Sequence, residues 1–170
     1  MTDEDFRDTF HRHKAVVHRF AYRITGSSSI AEDIVQDCFL ILWRKPAAYD
    51  PRRGGMQAFL LGVARNLVLK RWRKERPHEP LEDEACSMQP LSIRDDGRAE
   101  AVERAVLMLP PLQREAVVLA EYEEMTLEEI AFATNTELAA VKSRLHRGRQ
   151  NLRRMLAPLL EPKGTCYGTK

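Results

Sequence analysis

Lys142, Arg144, Arg147, Arg149, Arg153 and Arg154 fall within one short stretch that contains no carboxylate. Cations at that density suit a polyanion, because nucleic-acid phosphates release condensed counterions when Lys and Arg neutralise them. A second basic cluster lies far upstream. Between Arg65 and Arg76, Arg65, Lys70, Arg71, Arg73, Lys74 and Arg76 face the single acid Glu75, with Trp72 among them. Basic side chains around an aromatic ring suit single-stranded nucleic acid, whose phosphates follow the cations and whose bases stack on the ring. Trp72 is equally readable as a core residue, since a Trp on a helix is mostly buried.

Other chemistry finds no support in the residues. There is no Gly-rich phosphate loop, no nucleophile motif and no pair of catalytic carboxylates, so the chain is read as a non-enzyme without a cofactor. His11, His13 and His18 have the spacing of ordinary helical surface histidines rather than of a metal site. Cys38, Cys86 and Cys166 form no CxxC and are odd in number. They point to a reducing, cytoplasmic setting with free thiols, Cys38 being a small core residue. No signal peptide is recognisable, and no apolar run is long enough for membrane insertion.

The downstream cluster needs a helix to carry it. Met125 to Leu156 reads MTLEEIAFATNTELAAVKSRLHRGRQNLRRML. Leu127, Ile130 and Ala131 mark one short amphipathic helix, and Val141, Leu145, Leu152 and Leu156 recur at helical spacing on a second. Thr126 with Glu129 forms a capping box at the start of the first. Asn135 supplies a left-handed turn, and either it or Thr136 is placed to cap the second helix. A small residue at Ala131, a turn at Asn135 and an anchor at Val141 make a helix-turn-helix pattern, whose second helix enters the DNA major groove. A plain helical hairpin with a solvated basic face is the alternative.

The upstream cluster ends a longer helical region. Phe6, Phe10, Ala15, Val17, Phe20, Ala21 and Ile24 pattern a first helix ending at Gly26, and Ser29 with Glu32 suggests a capping box for the next. That helix, AEDIVQDCFLILW, is apolar through Ile34, Val35, Cys38, Phe39, Ile41 and Leu42, and leaves Asp33, Gln36, Asp37 and Leu40 on an outer face. Pro46 stops it. A third helix starts near Met56 and buries Phe59, Leu60, Val63, Ala64, Leu67 and Val68. Further on, Arg98 to Leu109 and Leu112 to Tyr122 are amphipathic, separated by Pro110-Pro111.

Net charge divides the chain. It is +6 for residues 1–76, −5 for 77–97, −6 for 98–137 and +7 for 138–170. The expected architecture is all-α, with two small helical domains at 1–76 and 98–160, a flexible acidic linker at 77–97 and a disordered tail at 161–170. The linker's acids, Glu82 to Glu84 among them, are placed to shadow a basic groove.

AEDIVQDCFLILW, AFLLGVARNLVLKRWRK, LPPLQREAVVL and LEEIAFATNTELAAVKSRLHRGRQNLRRML, in that order, resemble bacterial RNA polymerase sigma factors of the extracytoplasmic-function (ECF) subgroup. The resemblance covers nearly all of the chain outside the linker and tail. It implies a cytoplasmic initiation factor that binds core RNA polymerase and directs promoter-specific transcription in a stress or envelope response. Asp33, Gln36, Asp37, Leu40 and Trp43 would then meet core polymerase. Arg65, Asn66, Lys70, Arg71, Trp72 and Arg73 would hold the nontemplate single strand of the minus-ten element. Glu137, Leu138, Ala139, Lys142, Ser143, Arg144, His146 and Arg147 would read the minus-thirty-five element in duplex promoter DNA. An anti-sigma factor is a further implied partner. The runner-up is a freestanding helix-turn-helix regulator, which would have no use for the basic, Trp-bearing third helix.

Overall fold

The computed structural model describes residues 1–77, 88–91 and 97–160. Within them the chain forms seven α-helices and no strand. Glu82 to Glu84, Cys86, Asp95, Asp96, Cys166 and the tail from Glu161 lie outside the described residues, and with them most of the expected linker.

Helix α1 (Asp3–Thr25) starts with a reciprocal capping box between Thr2 and Asp5 and ends at Gly26, whose φ of 71° is the left-handed turn that glycine takes cheaply. The next helix begins two residues earlier than the Ser29 capping box would place it. Ser27 is the cap, accepting a hydrogen bond from the Ile30 amide at 3.3 Å, and α2 runs Ser28–Arg44. Gly26 reverses the chain so abruptly that the first extended residue after it, Ser27, is already in capping position. A single 3-10 turn at Pro46–Ala48 and a loop then lead to α3 (Met56–Glu75).

Phe20, Leu42, Leu60 and Val68 are almost fully buried where α1, α2 and α3 meet. Phe10 and Phe39 pack edge to face at 4.9 Å, and Phe6 meets Trp43 at 4.8 Å. Cys38 Sγ donates to the Leu60 carbonyl at 3.4 Å, and burial pushes its thiol up to about 12, so it is an inert core group.

The chain resumes with α4 (Arg98–Met108), α5 (Pro111–Val117), a π-helical turn at Val118–Tyr122, α6 (Leu127–Thr134) and α7 (Leu138–Leu160). Pro111 suits the first turn of α5, where its missing N–H leaves no bond unmade. The Thr126–Glu129 capping box forms, with bonds of 2.9 and 3.2 Å. Asn135 adopts the left-handed conformation (φ 50°, ψ 48°) and closes α6, while the Thr136 amide bonds back to the Ala131 carbonyl at 3.0 Å. A small core of Ala105, Leu109, Ala116, Val117, Leu145 and Met155 joins α4, α5 and α7.

Two features depart from the sequence reading. Residues 88–91, expected to belong to a free linker, lie against α7. The Leu91 amide donates to the Met155 carbonyl at 3.0 Å, the Met88 amide to Asn151 Oδ1 at 3.3 Å, and both side chains pack on the α4–α5–α7 core. In addition, α3 is buried on more than one side. Leu60, Ala64 and Val68 are buried as expected, but so are Ala58, Leu61, Gly62 and Leu69, whereas Phe59, Val63 and Leu67 are only half-buried. A helix apolar around most of its circumference needs neighbours on both sides. The second neighbour is α6, through Ile130 and Ala133, which with Val106, Val118, Leu119, Met125 and Val141 complete one continuous core with the first three helices.

Arg114 ties the halves at their joint. From α5 its guanidinium donates to the carbonyls of Ile24, Leu107 and Leu109 (3.0 Å for the last), binding the ends of α1 and α4 together. Burial lowers its pKa to about 10, so the group is charged at neutral pH.

Candidate nucleic-acid interface

The outer face of α2 is the simplest part of the site. Asp33, Gln36, Asp37, Leu40 and Trp43 are all exposed, with Leu40 at 42% and Trp43 at 46%. Their spacing of three and four puts them on one stripe, because the opposite side of α2 is held in the core by Ile34, Cys38, Phe39 and Leu42. Two exposed large apolar side chains beside carboxylates suit a protein contact. The Asp33 carboxylate also receives Arg71 Nη1 at 3.4 Å, which joins this stripe to α3.

On α3 the expected minus-ten residues divide into two groups. Asn66, Lys70 and Arg73 are exposed. Arg65, Arg71 and Trp72 are engaged. Arg65 Nε donates to Glu115 Oε1 of α5 at 2.8 Å, with 14% and 7% of the two side chains accessible. Arg71 bridges Asp33 and Glu75, the latter at 3.0 Å. Trp72 packs against the core and shares a cleft with Ile24, Ile30, Pro111 and Arg114. Its ring is therefore part packing and part cleft wall.

The loop before α3 belongs to this region as well. Tyr49 and Phe59 pack at 5.5 Å between ring centroids, and a cleft of about 220 Å³ lies among Tyr49, Asp50, Arg53, Phe59, Asn66 and, from α6, Phe132. Arg53 sits 5.6 Å from the Phe132 ring centroid. Sequence reasoning did not single out Arg53 or Tyr49. The signal available was a basic, aromatic loop placed directly before the basic helix.

On α7, burial of Val141, Leu145, Gly148, Asn151 and Met155 turns the opposite side outward. Ala139, Lys142 and His146 form an exposed stripe that Arg149 and Arg153 extend, with Glu137 exposed at the helix start. Leu138, Ser143, Arg144 and Arg147 are half-buried at its edges. Arg144 leans back toward the turn, where Nη1 meets Thr136 Oγ1 at 3.3 Å. Arg149 pairs with Glu121 at 2.5 Å. The basic face thus presents Lys142, His146, Arg149 and Arg153 most openly. By their spacing, Arg149 and Arg153 continue the same exposed stripe.

Two buried carboxylates mark where the halves meet. Desolvation pushes Glu115 above the usual range, opposed by Arg65 and then Arg144. Glu123 is raised for the same reason, opposed by Arg19 and Arg23, and its carboxylate lies 3.4 Å from Arg23 of α1. Glu115 was not anticipated as a partner for Arg65. Nothing in local sequence connects positions 50 residues apart.

Residues 9–78 match the family model of Sigma-70 region 2, and residues 99–152 that of Sigma-70 region 4. The chain is 30% identical over 173 residues to the ECF RNA polymerase sigma factor SigW of Bacillus subtilis, covering 92% of each protein. The chain belongs to the ECF sigma factors. It is also 36% identical over 154 residues to SigE of Mycolicibacterium smegmatis, although the match covers 86% of this chain and only 59% of that relative. The same fold is found in the sigma factor RpoE of Bartonella quintana, solved in complex with the anti-sigma factor NepR, at a TM-score of 0.70 and 24% identity, covering 91% of this chain and 98% of that one. Sigma factors are transcription initiation factors, and as one of them this chain directs promoter-specific transcription by RNA polymerase. No described helix is long and apolar enough to cross a membrane.

Proposed function

We propose a division of labour among three faces of this sigma factor. The α2 stripe of Asp33, Gln36, Asp37, Leu40 and Trp43 docks on core RNA polymerase. Arg65, Asn66, Lys70, Arg71, Trp72 and Arg73 of α3 hold the nontemplate strand of the minus-ten element. The pair α6–α7 acts as a helix-turn-helix, with Glu137, Leu138, Ala139, Lys142, Ser143, Arg144, His146 and Arg147 set against the minus-thirty-five duplex. Residues 1–76 and 98–160 are the two working domains, joined by the intervening acidic segment. The protein works in the cytoplasm, under an anti-sigma factor, in a stress or envelope response.

The observation that carries this reading is the exposed Lys142–His146 stripe on a helix that follows a tight left-handed turn, on the same chain as a second basic helix. Duplex reading requires a rigid helix whose cationic side chains reach base edges, and strand opening requires a stacking surface beside a phosphate track. Tethering the two readers raises the effective concentration of each on one promoter. A freestanding regulator would need only the first.

The test is to mix the purified chain with bacterial core RNA polymerase, separate complexes by gel filtration and transcribe genomic fragments. Co-elution with discrete new start sites is expected, and Asp37→Arg is expected to abolish co-elution while leaving helicity intact. A folded chain that neither co-elutes nor directs initiation would overturn the assignment, and co-elution of Asp37→Arg at wild-type strength would move the docking face away from α2.

A further inference from the structure

Two amide side chains meet where water does not reach them. Gln113 of α5 and Asn151 of α7 are 0% and 2% accessible, and Asn151 Nδ2 donates to Gln113 Oε1 at 2.8 Å. Asn151 Oδ1 accepts in turn from the Met88 amide at 3.3 Å and from Arg154 Nη1 at 3.5 Å. We propose that Asn151, with Gln113, is a positioning residue for duplex reading: the pair fixes the register of α7 on α5, and so the aim of Lys142 and His146 at the bases. This rests on the reading of α7 as the minus-thirty-five contact.

Three observations support that role. The other buried residues of α7 are Val141, Leu145, Gly148 and Met155. Apolar contact is non-directional, so a seam made of these alone tolerates a small slide or roll of the helix. A buried amide pair does not, because displacement leaves polar groups dry and unbonded. Buried Asn residues set register in coiled coils for the same reason. Second, a backbone amide can only donate, so Met88 faces Oδ1 and turns Nδ2 toward Gln113, which leaves the Asn151 side chain one orientation. Third, Gly148 brings the α7 backbone onto α5 one turn earlier. A Cβ there would stand 2.7 Å from Val117 Cγ2 and 3.3 Å from the Gln113 carbonyl oxygen, so the amide pair sits where the two helices approach closely.

The reading stripe lies on the exposed side of the same helix. His146 precedes Asn151 by five residues, about 7.5 Å along the axis, so a shift at the pair reaches the stripe undiminished. Hydrogen bonds to base edges weaken steeply once their geometry is lost, whereas attraction to phosphate changes little over the same displacement. A slipped α7 therefore still binds DNA and reads it poorly.

The test uses holoenzyme assembled from core RNA polymerase and the full chain, with the strongest promoter recovered by transcribing genomic fragments as the probe. Its minus-thirty-five element is changed one base pair at a time, and discrimination is the ratio of affinities for the unchanged and changed duplexes. In the wild type an informative change is expected to lower affinity about ten- to hundredfold. The double variant Gln113→Leu with Asn151→Leu replaces both partners by apolar groups of similar size, which leaves no amide unbonded. Gly148→Ala is the independent variant: it displaces α7 from Val117 and is a change toward the better helix former. Circular dichroism melts report the stability of each. Both variants are expected to fold, the double variant no less stably than the wild type, and to lose discrimination at least about fivefold. The salt dependence of binding is expected to stay the same, because the same cations meet the phosphates. Folded variants that discriminate as the wild type does would overturn the inference. A double variant that melts lower yet discriminates fully would also overturn it, by showing that the pair only stabilises the fold. A wild-type holoenzyme that initiates without any dependence on these base pairs would remove α7 as the minus-thirty-five reader, and the inference with it.

Discussion

Helices α3 and α7 are both long and both carry a basic cluster, yet the molecule treats them differently. On α7 one side is sunk into a core and the other faces solvent, so Lys142, His146 and Arg153 are exposed. On α3 the core extends around the helix, and of its six expected strand contacts Arg65, Arg71 and Trp72 already have protein neighbours. A reader of intact duplex can be kept exposed, because phosphate attraction alone gives only weak, salt-sensitive binding. A surface that stacks single-stranded bases is apolar and basic together, and left open it would be a general nucleic-acid trap.

The sharpest way to break this contrast is through the core. Leu60→Ala, at a position with no solvent access, is expected to cost about 2–5 kcal/mol in urea denaturation. Lys142→Ala on the exposed side of α7 is expected to stay within about 0.5 kcal/mol of wild type. Comparable losses would mean that the two helices do not differ in structural role.

Next in size is DNA reading by the assembled holoenzyme. Arg147→Ala is expected to weaken minus-thirty-five recognition by about 1–3 kcal/mol if its side chain reaches a base edge. Arg144→Ala is expected to lose less, because its guanidinium leans toward Thr136 and Glu115. Equal losses in a filter-binding titration would bring Arg144 onto the DNA.

A smaller effect tests the turn that aims α7. Thr126→Ala removes the hydroxyl that accepts from the Glu129 amide, and a loss of about 1 kcal/mol in thermal or urea unfolding is expected. Exchange of the α6 amides should rise with it, while those of α1 stay protected.

The smallest effect is on pH dependence. Glu115 and Glu123 have folded-state pKa values raised by desolvation, so the folded chain holds these protons more tightly than the unfolded one. Their contribution is fully present below the ordinary carboxylate range and is lost as pH rises through the raised values. Asp5, lowered by its bonds with Thr2, and His13, lowered by burial and then by Arg12, act in the opposite sense. Glu115→Gln is therefore expected to flatten the decline in melting temperature between mildly acid and neutral pH. An unchanged slope would remove Glu115 as its source.

Much of this was legible residue by residue. The Thr126–Glu129 box, the left-handed Asn135, the stop before Pro46 and the exposed stripe of α2 follow from local stereochemistry and helical period, which act over a few residues. The start of α2 was misplaced from Ser27 to Ser29, because three serines in a row offer three caps and only the geometry after Gly26 chooses among them. Residues 88–91 carry no periodic pattern, and their seat on α7, made by two backbone amides and the Met88 and Leu91 side chains, depends on partners far along the chain.

By itself, the sequence determined seven helices, two of them basic, a capped turn between α6 and α7 and membership of a family of initiation factors, because periodicity, capping and charge are local properties. Tertiary structure alone decided that Arg65 meets Glu115, that Trp72 lines a cleft and that α6 lies on Gly62. These contacts join residues far apart in the chain, and their partners are selected by shape and desolvation once both surfaces exist.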